Sequence, residues 1–191
     1  MKTGSCRIIG GKWRGRVIRF DDAEGLRPTT DRIRETVFNW LQAYLPGSTC
    51  LDAFAGSGVL GLEALSRGAA NVVFIEKNKK TASRIKDNIK MLDAQGGTVY
   101  QQDVLAWLKS AQPSVQRGKP FDLVFLDPPF HLDLLAKCSA ELVSCDCLAK
   151  DAVIYVEHGI DEEVALPAEW KVLKQKRAGQ VCYQLFELCV E

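Results

Sequence analysis

A chain of 191 residues with 47% hydrophobic and 26% charged residues is typical of one globular domain with a short appendage. No apolar run reaches the roughly 18 residues of a membrane span, and the N-terminus lacks the apolar core of a signal peptide, so we expect a cytoplasmic protein with no membrane contact. The seven cysteines form no Cys-x-x-Cys pair and only two histidines accompany them, so we expect reduced thiols and no metal.

The net charge of +1 conceals a basic N-terminus. Residues 1–20 carry six of the 25 basic side chains and no acidic one, so the other 171 residues hold all 24 acidic groups. A concentrated basic segment on an acidic body suggests a polyanionic partner.

The first elements in chain order are a hairpin and a helix. The stretch RIIGGKWRGRVIRF (7–20) has two β-prone pieces around a glycine-rich turn with Trp13, which predicts a two-stranded hairpin. In the next segment Asp31 can cap or charge a first helical turn, and Pro46 and Gly47 would end the helix. Its apolar residues recur at helical spacing: Ile33, Val37, Leu41 and Tyr44. We expect a basic arm (1–20) and one domain (21–191), made of a helical segment (21–46) and a core (47–191).

The core alternates between strand-like and helical segments. The strand-like segments are 49–55, 71–77, 97–103, 121–127, 152–159, 170–177 and 181–190. The helical segments are 59–68, 79–94, 104–111 and 132–148. This α/β alternation predicts a seven-stranded, mostly parallel sheet with helices on both faces, and the final hairpin predicts an antiparallel strand inserted at one edge.

The loop DAFAGSGVLG, between the first core strand and its helix, contains Gly56-x-Gly58-x-x-Gly61, and Glu76 ends the next strand. This is the fingerprint of dinucleotide sites, so an NAD enzyme is one interpretation. Asp52, four residues before the first glycine, would repel a pyrophosphate but attract an ammonium or sulfonium group, which favours S-adenosylmethionine (SAM). Asp103 ends the third strand and can accept a hydrogen bond from an adenine amino group.

The strand FDLVFLDPPF (121–130) runs into an acid, two prolines and an aromatic residue. Asp127 offers a carboxylate and a backbone carbonyl that can accept both N–H bonds of an exocyclic amine, which favours a nucleophilic, pyramidal nitrogen. Pro128 and Pro129 stiffen the loop without adding N–H donors, and the Phe130 ring can stack on an extruded base.

The motifs DAFAGSG, FIEKN, QQD and DPPF, in this order, resemble those of class I SAM-dependent methyltransferases with a Rossmann-like fold. The resemblance implies that Asp52 and the 56–58 loop hold the amino-acid part of SAM, Glu76 the ribose and Asp103 the adenine. The implied cofactor contacts are Asp52, Phe54, Gly56, Ser57, Gly58, Glu76, Lys77, Asp103 and Val104, with Arg27 and Thr29. The DPPF motif is similar to that of methyltransferases acting on adenine N6, guanine N2, cytosine N4 or glutamine amides.

The first 45 residues, RIIGGKWRGRVIRF and then GLRPTTDRIRETVFNWL, closely resemble the start of the bacterial methyltransferase D family of the small ribosomal subunit. The resemblance implies methylation of guanine N2 in 16S rRNA, at position 966. Basic arm residues can neutralise phosphates and Trp13 can stack on a base, although Trp13 could equally be the packing residue of a solvated hairpin. The candidate RNA contacts are Lys12, Trp13, Arg14, Arg16, Arg19, Arg32 and Arg34. Arg27, Thr29, Arg32 and Arg34 could instead close the SAM pocket or lie on a helix surface.

Other functions remain open: an adenine-N6 methyltransferase on DNA or RNA, an RNA-binding or ribosome-assembly module without activity, and an NAD oxidoreductase. The arm offers little surface for reading an RNA sequence, so we expect an assembled or assembling small subunit to present the target to a monomeric enzyme.

Overall fold

The computed structural model describes residues 3–21, 30–110, 119–129 and 133–189. The strands are β1 Thr3–Arg7, β2 Val17–Asp21, β3 Thr49–Asp52, β4 Asn71–Glu76, β5 Gly97–Gln101, β6 Phe121–Leu126, β7 Leu148–Gly159, β8 Trp170–Ala178 and β9 Val181–Leu188. The helices are α1 Asp31–Trp40, α2 Val59–Ser66, α3 Lys79–Met91, α4 Val104–Lys109 and α5 Leu134–Ser144, with a 3-10 turn at Gly11–Trp13. None of these helices is long and apolar enough to cross a membrane.

The seven-stranded sheet has the strand order β5-β4-β3-β6-β7-β9-β8. The first five strands are parallel, and helices α2 to α5 make the successive crossovers between them. Strand β9 lies between β7 and β8 and runs antiparallel to both. The predicted α/β architecture, with its antiparallel strand near one edge, is confirmed. An N-terminal hairpin of β1 and β2 also forms, but β1 lies before the predicted first β-prone piece and shares only Arg7 with the stretch 7–20.

Element boundaries differ from the predicted ones by a few residues. Strand β3 ends at Asp52 rather than at residue 55, and β5 ends at Gln101 rather than at 103, because the following residues form the glycine loop and a helix cap. The helix predicted for 132–148 ends at Ser144, since Asp146 adopts a left-handed backbone with φ of 47° that cannot continue it. Strand β7 therefore begins at Leu148, four residues earlier than predicted.

The buried residues form two apolar layers, one on each face of the large sheet. Helices α1, α2 and α3 and the hairpin cover one face, where the rings of Phe38 and Phe125 lie 6.0 Å apart. Helices α4 and α5 cover the other. Every residue of β3 is buried, as expected for a central parallel strand.

Helix α1 is shorter than its apolar pattern predicts. Thr30, not Asp31, caps it, since the Thr30 hydroxyl accepts a hydrogen bond of 3.4 Å from the Ile33 amide. The helix ends at Trp40, and Tyr44 lies beyond it with 40% of its surface exposed. The prediction that Tyr44 continues the buried face was wrong, because turns follow Leu41.

The arm is fastened to the domain by side chains of α2 and α3. The Ser66 hydroxyl donates to the Gly10 carbonyl (2.6 Å) and accepts from the Trp13 amide (2.9 Å). The Asn88 side chain bonds both the amide and the carbonyl of Arg19, as a neighbouring strand would. Trp13 is only 7% exposed and belongs to the core, which favours its interpretation as a packing residue over base stacking.

Arg34, a candidate RNA contact in the sequence, is the largest fully buried side chain among the residues that the structure describes. Its guanidinium donates two 3.0 Å hydrogen bonds to the Arg7 carbonyl and pairs with Asp31 at 2.6 Å. A guanidinium that is 1% exposed and bound to its own chain has no surface to offer RNA. Its contacts instead join the start of α1 to the arm.

The Glu63 carboxylate lies at the centre of this buried network. It accepts from Arg67 Nε at 2.7 Å and from the Ile9 amide at 2.8 Å, and Arg34 lies 3.7 Å away. We expect Glu63→Ala to lower the free energy of unfolding by about 3–5 kcal/mol, because it leaves buried charge uncompensated. Urea denaturation would measure this, with Glu63→Gln, which keeps an acceptor, as the milder control. A loss below about 1 kcal/mol for Glu63→Ala would contradict a structural role for the network.

All seven cysteines are free thiols, and four of them are buried. Burial raises the pKa of Cys50 and of Cys138 to about 12, which keeps both thiols protonated and unreactive at neutral pH. In the described part of the chain, no three His, Cys, Asp or Glu side chains are grouped so as to hold a metal ion.

Candidate active site

The candidate site lies where the strand order reverses, at the carboxyl ends of β4, β3 and β6. Ligands of open α/β sheets bind in the crevice at such a switch point. The loop after β3 is tied to both neighbouring strands: the Ala53 amide donates to the Phe125 carbonyl of β6 and the Ala55 amide to the Ile75 carbonyl of β4. The topology thus brings the glycine loop, Glu76 and residues Asp127–Pro129, here called the DPP motif, to the same end of the parallel strands.

The glycines of the loop have two different structural roles. Gly56 and Gly58 adopt φ values of 49° and 75°, which turn the chain sharply before α2. At Gly61 a Cβ atom would lie 2.2 Å from the Phe74 ring, so this glycine lets α2 pack closely on β4. Ser57 is buried inside the loop, and Phe54 packs against the α4–α5 layer.

Asp52 ends β3 below the glycine loop. It is 2% exposed, and its carboxylate accepts a 3.0 Å hydrogen bond from the Gly61 amide in the first turn of α2. Burial raises the pKa of Asp52 to about 7, and the negative charge of Glu76 adds to the increase. A cationic ligand at this carboxylate would favour its ionised form.

Glu76, at the end of β4, clamps the glycine loop. One carboxylate oxygen accepts from the Gly56 amide at 2.9 Å, and the other accepts from the Asn78 amide at 2.6 Å. Burial raises the pKa of Glu76, although its three backbone hydrogen bonds oppose the increase. Each oxygen keeps acceptor capacity, so the clamped carboxylate could also bind two ligand hydroxyls.

Asp103 lies after β5 and caps α4, with its carboxylate 3.2 Å from the Ala106 amide. Its second oxygen is 3.6 Å from the Lys77 ammonium group, and the Asp103 side chain is 41% exposed. Val104, the next residue, is buried in the core. The residues Lys77 and Asp103, which follow neighbouring strands, are therefore neighbours.

The DPP motif follows β6, which pairs with β3 on one side and β7 on the other. Asp127 is half-buried, Pro128 is buried and Pro129 is exposed. Phe130, Arg27 and Thr29, also predicted as site residues, lie outside the described residues.

A second carboxylate adjoins this motif and was missed in the sequence. Leu126 pairs with Val156, so Asp127 and Glu157 follow on neighbouring parallel strands. Glu157 is 4% exposed and accepts a 2.7 Å hydrogen bond from the Tyr155 hydroxyl. Burial is the largest cause that raises the pKa of Tyr155, and the negative charges of Glu157 and Asp127 raise it further. The Tyr155 hydroxyl therefore stays protonated and donates its hydrogen bond. The sequence did contain a signal for this residue, because Glu157 directly follows the apolar run AVIYV (152–156) at the end of a predicted strand.

Most of the basic candidates lie on the surface of the arm and of α1. Lys12, Arg14, Arg16, Arg19 and Arg32 are exposed. The Lys12 ammonium lies 5.6 Å from the centre of the buried Trp13 ring. The structure therefore leaves these five cations available to a polyanion and withdraws Trp13 and Arg34 into the core.

Comparison with known proteins gives matches over almost the whole chain. The family model described as Conserved hypothetical protein 95 matches residues 6–187. The chain is 46% identical over 186 residues to the Ribosomal RNA small subunit methyltransferase D of Haemophilus influenzae, covering 96% of this chain and 94% of that protein. The protein of the same name from Escherichia coli strain K12 is 43% identical, covering 97% and 91%.

Solved structures are also similar to this chain. A candidate methyltransferase from Escherichia coli superposes with a TM-score of 0.89 at 39% identity, covering 98% of this chain and 100% of that one. A candidate SAM-dependent methyltransferase from Streptococcus mutans gives a TM-score of 0.71 at 14% identity over 91% of this chain and 54% of that one, which shows the shared fold alone. The chain therefore belongs to the small-subunit rRNA methyltransferase D family.

Proposed function

We propose that this protein transfers a methyl group from SAM to the exocyclic N2 of the guanine at position 966 of 16S rRNA, on an assembled or assembling small ribosomal subunit. The observation that carries the proposal is the position of the DPP motif, which ends β6 at the switch point beside the clamped glycine loop. The names of the relatives from Haemophilus influenzae and Escherichia coli support an rRNA substrate.

The residues at this edge suit SAM better than a dinucleotide. A buried carboxylate at Asp52 favours a ligand with an ammonium or sulfonium group over one with a pyrophosphate. In the proposal Asp52 and the 56–58 loop hold the amino-acid part, Glu76 binds the ribose hydroxyls, and Asp103 accepts from the adenine amine. Phe54, Lys77 and Val104 complete the cofactor contacts, with Arg27 and Thr29 from the segment before α1.

SAM, when bound, supplies a methyl group on a positively charged sulfur, which is a strong electrophile. An exocyclic amine is a weak nucleophile, because its lone pair is delocalised into the base. The Asp127 carboxylate and carbonyl would accept both N–H bonds, favour the pyramidal nitrogen and receive the departing proton directly or through water. Pro128 and Pro129 fix these acceptors, and Phe130 would stack on the extruded base.

Guanine presents two adjacent donors, N1–H and the N2 amine, whereas adenine presents a donor beside an acceptor. The two neighbouring acids at the ends of β6 and β7, Asp127 and Glu157, are acceptors and so favour guanine over adenine.

In this proposal the arm (residues 1–20) is the RNA-contacting appendage of a methyltransferase domain (21–191). Its exposed cations, with Arg32 of α1, would neutralise phosphates of the substrate.

Methyl transfer from labelled SAM to small subunits, and to naked 16S rRNA, from cells lacking this protein would test the function. We expect N2-methylguanosine after nuclease digestion, with faster transfer to the particle. N6-methyladenosine would overturn the base assignment, and absence of label in any nucleoside would overturn the rRNA substrate. Equal rates on both substrates would contradict the need for a ribosomal particle.

A further inference from the structure

Strand β8, at the outer edge of the large sheet, carries basic side chains that have no role in the proposed function. Lys174, Lys176 and Arg177, here called the basic edge, are exposed, and β8 contains no acidic residue. Among the described residues none of the three forms an ion pair, whereas Lys77 and Lys109 elsewhere on the surface do. The basic edge is therefore open to an anionic partner.

The strand register places the basic edge at the level of the candidate active site. Glu157 of β7 pairs with Tyr183 of β9, which pairs with Lys176 of β8. Asp127 follows β6 at the same level, since Leu126 pairs with Val156. At about 4.8 Å between neighbouring strands, Lys176 lies roughly 14 Å across the sheet from the DPP motif. That distance suits the backbone next to a nucleotide held in the site, rather than the target base itself.

An aromatic platform lies between the basic edge and α1. Trp40, half-buried at the end of α1, stacks on Tyr183 with ring centroids 5.5 Å apart and an interplanar angle of 26°. The Lys176 ammonium lies 5.9 Å from the centre of the Trp40 ring. Cations interleaved with aromatic rings are the surface on which proteins bind unpaired RNA.

We propose that Lys174 and Lys176 of the basic edge bind the phosphates of the RNA strand next to the target nucleotide and that Trp40 stacks on one of its bases, as a second RNA contact beside the arm. This inference rests on the proposed function and extends it. Lysines on an edge strand can also simply prevent pairing with another chain. That protective role requires only charge, and it predicts self-association when the lysines are removed rather than a change in the salt dependence of RNA binding.

The double variant Lys174→Ala/Lys176→Ala tests the proposal in methyl transfer to small subunits. The matched control, Lys119→Ala/Lys150→Ala, removes two exposed lysines near the amino ends of β6 and β7, away from the carboxyl ends where the candidate active site lies. We expect the test variant to raise KM for the subunit about tenfold and to reduce the slope of log KM against log salt by about 1 to 2. Its kcat and its Kd for SAM should stay within about twofold of wild type, and the control should match wild type throughout.

A KM and salt slope equal to those of the control would overturn the second RNA contact. Self-association in light scattering with an unchanged KM would assign the lysines to edge protection and would also overturn it. If the wild-type protein transfers no methyl group to the subunit, the proposed function itself fails and this inference fails with it. Wild-type transfer with an unaffected variant removes the inference alone.

Discussion

Asp127→Asn should lower kcat for methyl transfer by at least about 100-fold while the Kd for SAM stays within about twofold. The amide keeps the size of the side chain but replaces one acceptor with a donor, so the amine loses a hydrogen-bond partner and a proton acceptor. The DPP backbone would be unchanged, and the predicted cofactor contacts lie elsewhere, at and just after the carboxyl ends of β3, β4 and β5 and in the segment before α1. Single-turnover methyl transfer and calorimetric titration of SAM would separate the two effects.

Asp122→Asn is the matched control for this variant. Asp122 lies on the same strand, β6, near its opposite end, where its carboxylate accepts a 2.7 Å hydrogen bond from the Thr49 amide. We expect a small loss of stability and near wild-type kcat. An Asp127→Asn enzyme that works at the wild-type rate would remove Asp127 from the chemistry.

Asp52→Asn should weaken SAM binding and, at the same time, stabilise the free protein above pH 7. The pKa of Asp52 rises from 3.8 to about 7 on folding, because the carboxyl group is buried. A raised acid pKa means that the folded state holds the proton more tightly, so stability falls as pH increases from about 4 to about 7. Below about pH 4 ionisation of Asp52 costs no free energy of unfolding. Above about pH 7 it lowers the free energy of unfolding by its full amount, at most about 4 kcal/mol.

Urea unfolding of wild type and Asp52→Asn between pH 4 and pH 8 would measure this difference. We expect the two proteins to converge at pH 4 and the variant to be more stable at pH 8, since Asn can still accept from the Gly61 amide. Calorimetry at pH 8 should show a SAM affinity at least about tenfold lower for the variant, because an ionised partner for the cation is lost. In wild type, affinity should increase as pH rises through about 7.

Glu169→Gln is the control, since it removes the same charge from an exposed side chain. Equal pH dependence for Asp52→Asn and wild type would show that Asp52 is not the titrating group. Unchanged SAM affinity would place the cation elsewhere in the site.

The large sheet could be predicted because its signals are local. Buried apolar runs such as β3 and β6, separated by helical segments, specify parallel strands, and the Gly179 turn specifies the final hairpin. Because the carboxyl ends of parallel strands share one side of the sheet, the sequence alone groups the strand-end acids Asp52, Glu76 and Asp103. Element ends were less predictable, because loops and caps use the same residues as strand ends.

Contacts between distant segments could not be read from the sequence. Arg34 looks like other arginines near α1, and only the Arg7 carbonyl and Glu63, brought together by tertiary packing, make it a buried residue. Trp13 is buried in the core, and its backbone amide is bound by the Ser66 hydroxyl of α2, 53 residues away. The position of Lys176 along the sheet, level with Asp127, depends on the antiparallel registers of β7 with β9 and of β9 with β8. No local sequence pattern specifies these registers.

The most direct test of the central claim is nucleoside analysis by mass spectrometry of 16S rRNA from cells lacking this protein, complemented with wild type or with Asp127→Asn. We expect N2-methylguanosine at position 966 to be absent without the protein, restored by wild type and absent with Asp127→Asn. The same modification in cells lacking the protein, or its restoration by Asp127→Asn, would contradict methyl transfer to guanine N2 at the strand-end carboxylates.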